Sequence, residues 1–169
     1  MSVCSRKIIT DHKSKFTLRP SFDDIYMDLA VTLAKRSHCV KMQVGAVLAK
    51  DTRIISLGYN GPPPGTHNCD EEWGNVGCPR DSKGGCSLAI HAEQNAILYA
   101  AKNKASIDGG TMYVTLSPCL ACARIIYTAG IRRLFYLDSY ADYKGIASDE
   151  GIDFLKKFGV EVQRMKKSK

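Results

Sequence analysis

Several features are missing from this chain of 169 residues. No apolar run approaches the roughly 18 residues that a membrane-crossing helix needs, so no membrane partner is expected. Residues 1–7 lack the apolar core of a secretory leader, so a cytoplasmic protein is the expectation. No internal repeat or low-complexity block interrupts the chain, and its length suits one domain with a proper core. An even set of cysteines is missing too: there are seven, at 4, 39, 69, 78, 86, 119 and 122. An odd number without a leader argues against a secreted disulfide framework and for metal binding in a reducing compartment. Finally, there is no broad basic track. The formal charge of +7 is concentrated at the two ends. Residues 1–20 carry five basic groups and one acidic, residues 156–169 six and one, and the chain between them is slightly acidic. Such a core is a poor footprint for nucleic acid, and none is expected as a partner. The basic ends read as solvated segments, with residues 1–20 an N-terminal arm and 21–169 the folded domain.

What is present is concentrated in two short runs. One is His91-Ala92-Glu93; the other is Pro118-Cys119-Leu120-Ala121-Cys122. A histidine, a glutamate two residues on, and a downstream Pro-Cys-x-x-Cys form the signature of zinc-dependent nucleobase deaminases. The residue types suit the chemistry. Catalytic zinc takes three protein ligands and keeps a fourth position for water. His91, Cys119 and Cys122 would supply one imidazole and two thiolates. Water at the open position is acidified toward neutrality and then needs a proton shuttle. Glu93 is the candidate, acting as general acid and base and not as a ligand. Residues two apart do not share a helix face, so His91 and Glu93 belong in a first turn, where both can reach one point. Cys119 and Cys122, three apart, share a face at a helix start, where the macrodipole favours thiolate.

Hydrophobic periodicity supplies the frame. Ser21 caps a helix whose apolar stripe is Phe22, Ile25, Tyr26, Leu29 and Leu33. Residues 44–49 and Arg53–Tyr59 read as a hairpin turning at Asp51-Thr52. Asn60-Gly61 and the prolines after it begin an irregular loop over 60–87. Ser87 or a neighbour starts a helix that runs to about Lys102. Thr111–Leu116 is a strand that delivers the second motif to a helix opened by Cys119 and closed by Gly130. Residues 131–137 form a strand, 138–147 a loop, 150–158 a helix and 160–164 a short strand. The order predicts an α/β protein: a three-layer α/β/α sandwich around a mixed five-stranded sheet, antiparallel at the opening hairpin and parallel afterwards. Both motifs then open neighbouring helices.

Beyond the zinc motifs, the chain carries Val44-Gly45-Ala46, Gly58-Tyr59-Asn60-Gly61, the run from His91 to Ile97, and Ser117-Pro118-Cys119. With these, residues 22 to 164 resemble the cytidine/deoxycytidylate deaminase superfamily and, within it, the deoxycytidylate (dCMP) deaminases. The resemblance implies hydrolysis of dCMP to dUMP and ammonia, feeding thymidylate synthesis. It implies that Ala92 and the strand with Gly45 and Ala46 grip the base, that Asn60 binds the sugar, and that Tyr140 lies near the nucleotide. The 5′-phosphate needs cations or donors, and Arg36, Ser37, Lys41 and Lys144 are the nearby candidates. The resemblance also implies a homohexamer activated by dCTP and inhibited by dTTP, with magnesium accompanying the effectors, at a site near Tyr59, Asn60 and Gly61.

Cys39, Cys69, Cys78 and Cys86 remain. Four thiolates would close a structural zinc site and staple the long loop, as in members of the family with a second zinc; His67 could replace one of them. Two rival readings share the motifs. A tRNA adenosine or other nucleobase deaminase would keep all four catalytic-site residues, but the Gly-Tyr-Asn-Gly run and the slightly acidic core oppose it. A non-catalytic zinc or nucleotide-binding module would have no use for Glu93 beside an open metal position.

Overall fold

A computed structural model describes residues 19–73, 78–82 and 86–166. Nearly all of the expected basic arm, 1–20, lies outside the described residues. The elements run α1 (Phe22–Ala34), β1 (Gly45–Lys50), β2 (Arg53–Tyr59), α2 (Cys69–Glu72), α3 (Ala92–Lys102), β3 (Thr111–Leu116), α4 (Leu120–Thr128), β4 (Arg133–Asp138), α5 (Tyr140–Lys144), α6 (Glu150–Lys157) and β5 (Glu161–Arg164).

The sheet order is β2-β1-β3-β4-β5. β1 pairs antiparallel with β2 and with β3, while β3–β4 and β4–β5 are parallel. This is the expected mixed five-stranded sheet. Alternation along the strands divides the core. Ala46, Leu48, Met112, Val114 and Leu134 face Ala92 and Ala96 of α3, Ala123 and Ile126 of α4, and Ile152 and Leu155 of α6. Val47, Ala49, Tyr113 and Phe135 face Tyr26, Met27 and Ala30 of α1. Each fully buried Leu, Ile or Met of these layers contributes roughly 1.5–3 kcal/mol of apolar transfer.

Four local expectations change. The buried face of α1 is Tyr26, Met27, Ala30 and Ala34, whereas Phe22 and Ile25 are 54% and 43% exposed. The helix presses its alanines against β1 at Gly45, where an added Cβ would lie 2.7 Å from the Ala34 nitrogen. Tyr26, Leu29 and Leu33 of the expected stripe do pack against the core, and close backbone approach turns Ala30 and Ala34 inward in place of Phe22 and Ile25. Second, α3 begins at Ala92 and not near Ser87. Ile90 is held extended by paired bonds to Gly61, with Gly61 N to Ile90 O at 3.1 Å and Ile90 N to Gly61 O at 2.9 Å. Helix cannot start before that pairing ends. Third, the loop after β4 contains the short α5, capped by Ser139 and closed by Gly145 at φ 65°. Fourth, the long loop after β2 contains the single turn α2, opened by Cys69.

Gly58 sets the height of α3 above the sheet. A Cβ there would sit within the contact shell of the Ala92 carbonyl and 2.6 Å from the Ala96 nitrogen. Gly58→Val is therefore expected to push α3 outward. Thermal unfolding should report a loss of about 2 kcal/mol or more, as for overpacked cores. Metal retention should weaken in parallel, because α3 begins beside His91. Wild-type melting together with full metal content would show that the contact is not limiting.

Candidate active site

α3 and α4 start side by side at one end of the sheet. His91 is the N-cap of α3, its backbone N–H donating to Gln94 Oε1 at 3.0 Å. Cys119 is the N-cap of α4, and Cys122 lies one turn in, buried. Gly151 of α6 packs directly on the backbone of Pro118 and Cys119, with no room for a Cβ. These contacts bring His91 Nδ1 to 3.3 Å from Cys122 Sγ and 3.7 Å from Cys119 Sγ. All three ligand atoms lie within 4.8 Å of one another. Tetrahedral zinc at ordinary Zn–N and Zn–S lengths would set nitrogen and sulfur about 3.6 Å apart, so the donor set and its spacing fit that ion.

The electrostatics agree with a cation site. The Cys119 thiol is lowered to about 4, mainly by the Cys122 S–H that hydrogen-bonds to it and then, against the opposing effect of burial, by the His91 ring. The Cys122 thiol is pushed up, first by that same bond and then by burial. One proton is thus trapped between two sulfurs, the kind that metal binding releases. The His91 ring is raised by its bond to Cys119. Glu93, only 4% exposed, is raised by burial. A carboxyl whose burial favours the protonated form, beside a candidate metal site, is suited to proton transfer.

A cavity of about 220 Å³ opens over these groups, lined in part by Val44, Asn60, Ala92, Leu116, Tyr140 and Tyr143, with His91, Glu93 and Cys119 at its floor. Residues 20–138 match the family model for the cytidine and deoxycytidylate deaminase zinc-binding region. The chain belongs to this family. The deoxycytidylate deaminase of Saccharomyces cerevisiae is 35% identical over 165 residues, covering 94% of this chain and 50% of that protein. The deoxycytidylate deaminase of Mycobacterium phage D29 is 38% identical over 130 residues, covering 70% of this chain and 95% of that protein. The chain thus spans about half of the yeast relative and nearly all of the phage one. The crystal structure of dCMP deaminase from cyanophage S-TIM5 in complex with dCMP and dUMP superposes with a TM-score of 0.72 at 35% identity, covering 88% of this chain and 99% of that chain.

Within this deaminase fold, the remaining candidate residues divide. Asn60, Ala92 and Tyr140 line the cavity. Gly45 and Ala46 are not among its lining residues. Gly45 lies against α1 and donates its N–H to Thr115 Oγ1 at 3.1 Å, and Ala46 is core. Arg36 and Ser37 are likewise absent from the lining. The Ser37 hydroxyl donates to Asn60 O at 2.7 Å, and the Arg36 backbone closes α1. Lys41 and Lys144 do line the cavity, and Lys144 Nζ sits 5.7 Å from the Tyr140 ring centre and 5.6 Å from that of Tyr143. Asn60 holds the segment before β1: its Oδ1 accepts from Val44 N at 2.8 Å and its Nδ2 donates to Met42 O at 2.9 Å. Tyr59 is part-exposed and its carbonyl accepts from Asn95 Nδ2 at 2.6 Å.

Cys69 has Cys86, Cys39 and Cys78 as electrostatic neighbours, and burial is the largest cause of its raised thiol. The four sulfurs are neighbours without converging. Among the described residues, only His91–Cys119–Cys122 and His38–Asp70–Glu71 draw three ligand atoms within 4.8 Å. His67 is exposed, 3.8 Å from Glu72, and is not drawn to the cysteines. Sequence reading missed Tyr143, Val44 and Leu116 as cavity walls; Ser139 as a cap and Gly145 as a stop were the available signals for the helix bearing Tyr143.

Cys119→Ala should lose one equivalent of zinc relative to the unmodified protein, read by elemental analysis of dialysed protein, while the fold measured by circular dichroism persists. Full zinc content in that variant would remove Cys119 from the ligand set.

Proposed function

We propose that the chain hydrolyses dCMP to dUMP and ammonia. The observation that carries this reading is Glu93, a buried carboxyl at the floor of the cavity, two residues from His91 and facing the His91–Cys119–Cys122 group. The chain matches the family's zinc-binding region, and one of the similar structures named above is described in complex with dCMP and dUMP. His91, Cys119 and Cys122 would hold the zinc, which when bound would supply Lewis acidity toward water. Glu93 moves the protons: one goes from the attacking water to N3 of cytosine as oxygen adds to C4, and another goes to the amine that departs as ammonia. The backbone of Ala92 and the side chains of Val44 and Leu116 enclose the base, and Tyr140 forms a wall. Asn60 has one amide N–H beyond those it uses on Met42, which suits a sugar hydroxyl. Lys41 and Lys144 meet the 5′-phosphate, a doubly charged group that needs cations.

The finer readings extend this one. Cys39, Cys69, Cys78 and Cys86 hold a second, structural zinc that draws their sulfurs together. The domain spans 21–169 behind a basic arm at 1–20, in the cytoplasm. The protein is a homohexamer, activated by dCTP and inhibited by dTTP with magnesium, through Tyr59, Asn60 and Gly61. The Gly61–Ile90 pairing supports that site, because it ties the turn to the residue just before His91.

Ammonia release should be greatest with dCMP among dCMP, dCTP, deoxycytidine and cytidine, rising with added dCTP and falling with dTTP. Glu93→Gln should keep zinc and lose at least ~10²-fold in turnover, the scale of a missing general acid and base. Inertness toward dCMP alongside activity on a tRNA anticodon stem-loop would overturn the substrate. Zinc analysis should give two equivalents per protomer, and one equivalent would dismiss the second site.

A further inference from the structure

Asp149 stands outside the cavity, yet three segments of the site meet on its carboxylate. As N-cap of α6 it accepts from Ile152 N at 3.4 Å through Oδ1. Its Oδ2 accepts two buried hydroxyls, Ser117 Oγ and, at 3.1 Å, Ser139 Oγ. Each hydroxyl in turn accepts from the first turn of α5. Tyr140 N donates to Ser117 Oγ at 2.7 Å; Ala141 N and Asp142 N donate to Ser139 Oγ at 3.2 and 3.4 Å. Ser117 precedes Pro118 and stands two residues before Cys119, and its own N–H donates to Asp138 O at 2.8 Å. The same α6 turn packs Gly151 against Pro118 and Cys119.

Given the deamination proposed above, we infer that Asp149 is a positioning residue for the nucleotide: through Ser117 and Ser139 it fixes the Tyr140 wall of the cavity in register with the metal-binding loop. α5 has five residues, too few to hold a helix unaided. These hydroxyl relays hold its first turn, alongside buried Ala141 and the Asp142–Arg164 ion pair at 3.1 Å. Asparagine is a poor substitute for a reason specific to this geometry. One side-chain oxygen cannot both cap Ile152 N and accept two hydroxyls on the opposite side, and the amide N–H₂ would meet either a backbone donor or hydroxyls whose own protons then lose their acceptor.

The test compares wild type, Ser117→Ala, Asp149→Asn and the double variant, each checked for zinc content and melting temperature. In zinc-loaded protein, KM for dCMP should rise about tenfold in either single variant, the scale of one lost buried hydrogen bond, while kcat changes by less than about threefold. The double variant should match the singles and not multiply them to about a hundredfold, because both changes cut one chain. A purely structural role would instead lower the melting temperature and the active fraction, leaving KM as it was. Unchanged KM in folded, zinc-loaded variants, or multiplicative effects in the double, would overturn the inference. Should Asp149→Asn fail to fold, Ser117→Ala and Ser139→Ala leave the α6 cap intact and decide the matter by the same KM reading. A wild-type protein inactive on dCMP would instead remove the deaminase reading and this inference with it.

Discussion

Two helix starts must meet at one point, and the rest of the molecule is arranged to make them meet. α3 brings His91 and Glu93; α4 brings Cys119 and Cys122. A metal centre tolerates errors of only a few tenths of an ångström in ligand position, so both helices need stops that do not give. Backbone-to-backbone contact provides such stops. α3 rests on β2 at Gly58, and the loop before α4 rests on α6 at Gly151, each with space for hydrogen and nothing larger. Side chains in these places could change rotamer and let the helices drift. The pairing of Gly61 with Ile90 adds a third restraint by holding the chain extended until the residue that caps α3.

These restraints explain which parts of the architecture were legible in the sequence. Strands and long helices announced themselves by periodicity, and the zinc motif by residue type and spacing, because both are local properties. The start of α3 was misplaced because Ser87 is a good local cap and the Gly61–Ile90 pairing that overrides it is long-range. On α1, periodicity picks out Tyr26, Leu29 and Leu33, which do pack against the core, but not the contact at Gly45 that turns Ala30 and Ala34 inward and leaves Phe22 and Ile25 outside. α5 went unread because a one-turn helix has no period; only Ser139 and Gly145 mark its ends.

The binding residues divide along the same line. Asn60 and Tyr140 could be picked out because a resemblance pointed to them, and both line the cavity. Arg36 and Ser37 were equally near by topology, yet the buried hydroxyl of Ser37 supports the Asn60 carbonyl and Arg36 closes a helix. Nothing in the local sequence separates these residues from Lys41. The difference lies in which way the segment between α1 and β1 turns, and the Asn60 amide sets that turn through Val44 and Met42; Lys144 reaches the cavity from α5 instead. The Asp149 relay is a stronger case, since it joins residues 117, 139, 140 and 149 across three elements.

α5 differs in kind from the elements that bear the metal ligands. It is a single turn, carries Tyr140 and Tyr143 with Lys144 against both rings, and takes its order from its own Ser139 cap, the Ser117 hydroxyl and the Asp142–Arg164 ion pair. Bond-breaking machinery and ligand-choosing surface therefore sit on different elements, joined only where Ser117, Ser139 and Asp149 meet. Replacements within α5 that spare Ser139 and Asp149 can reshape what the pocket admits while the proton-transfer apparatus stays intact, which makes this short stretch the natural locus for divergence of substrate preference on an unchanged reactive core.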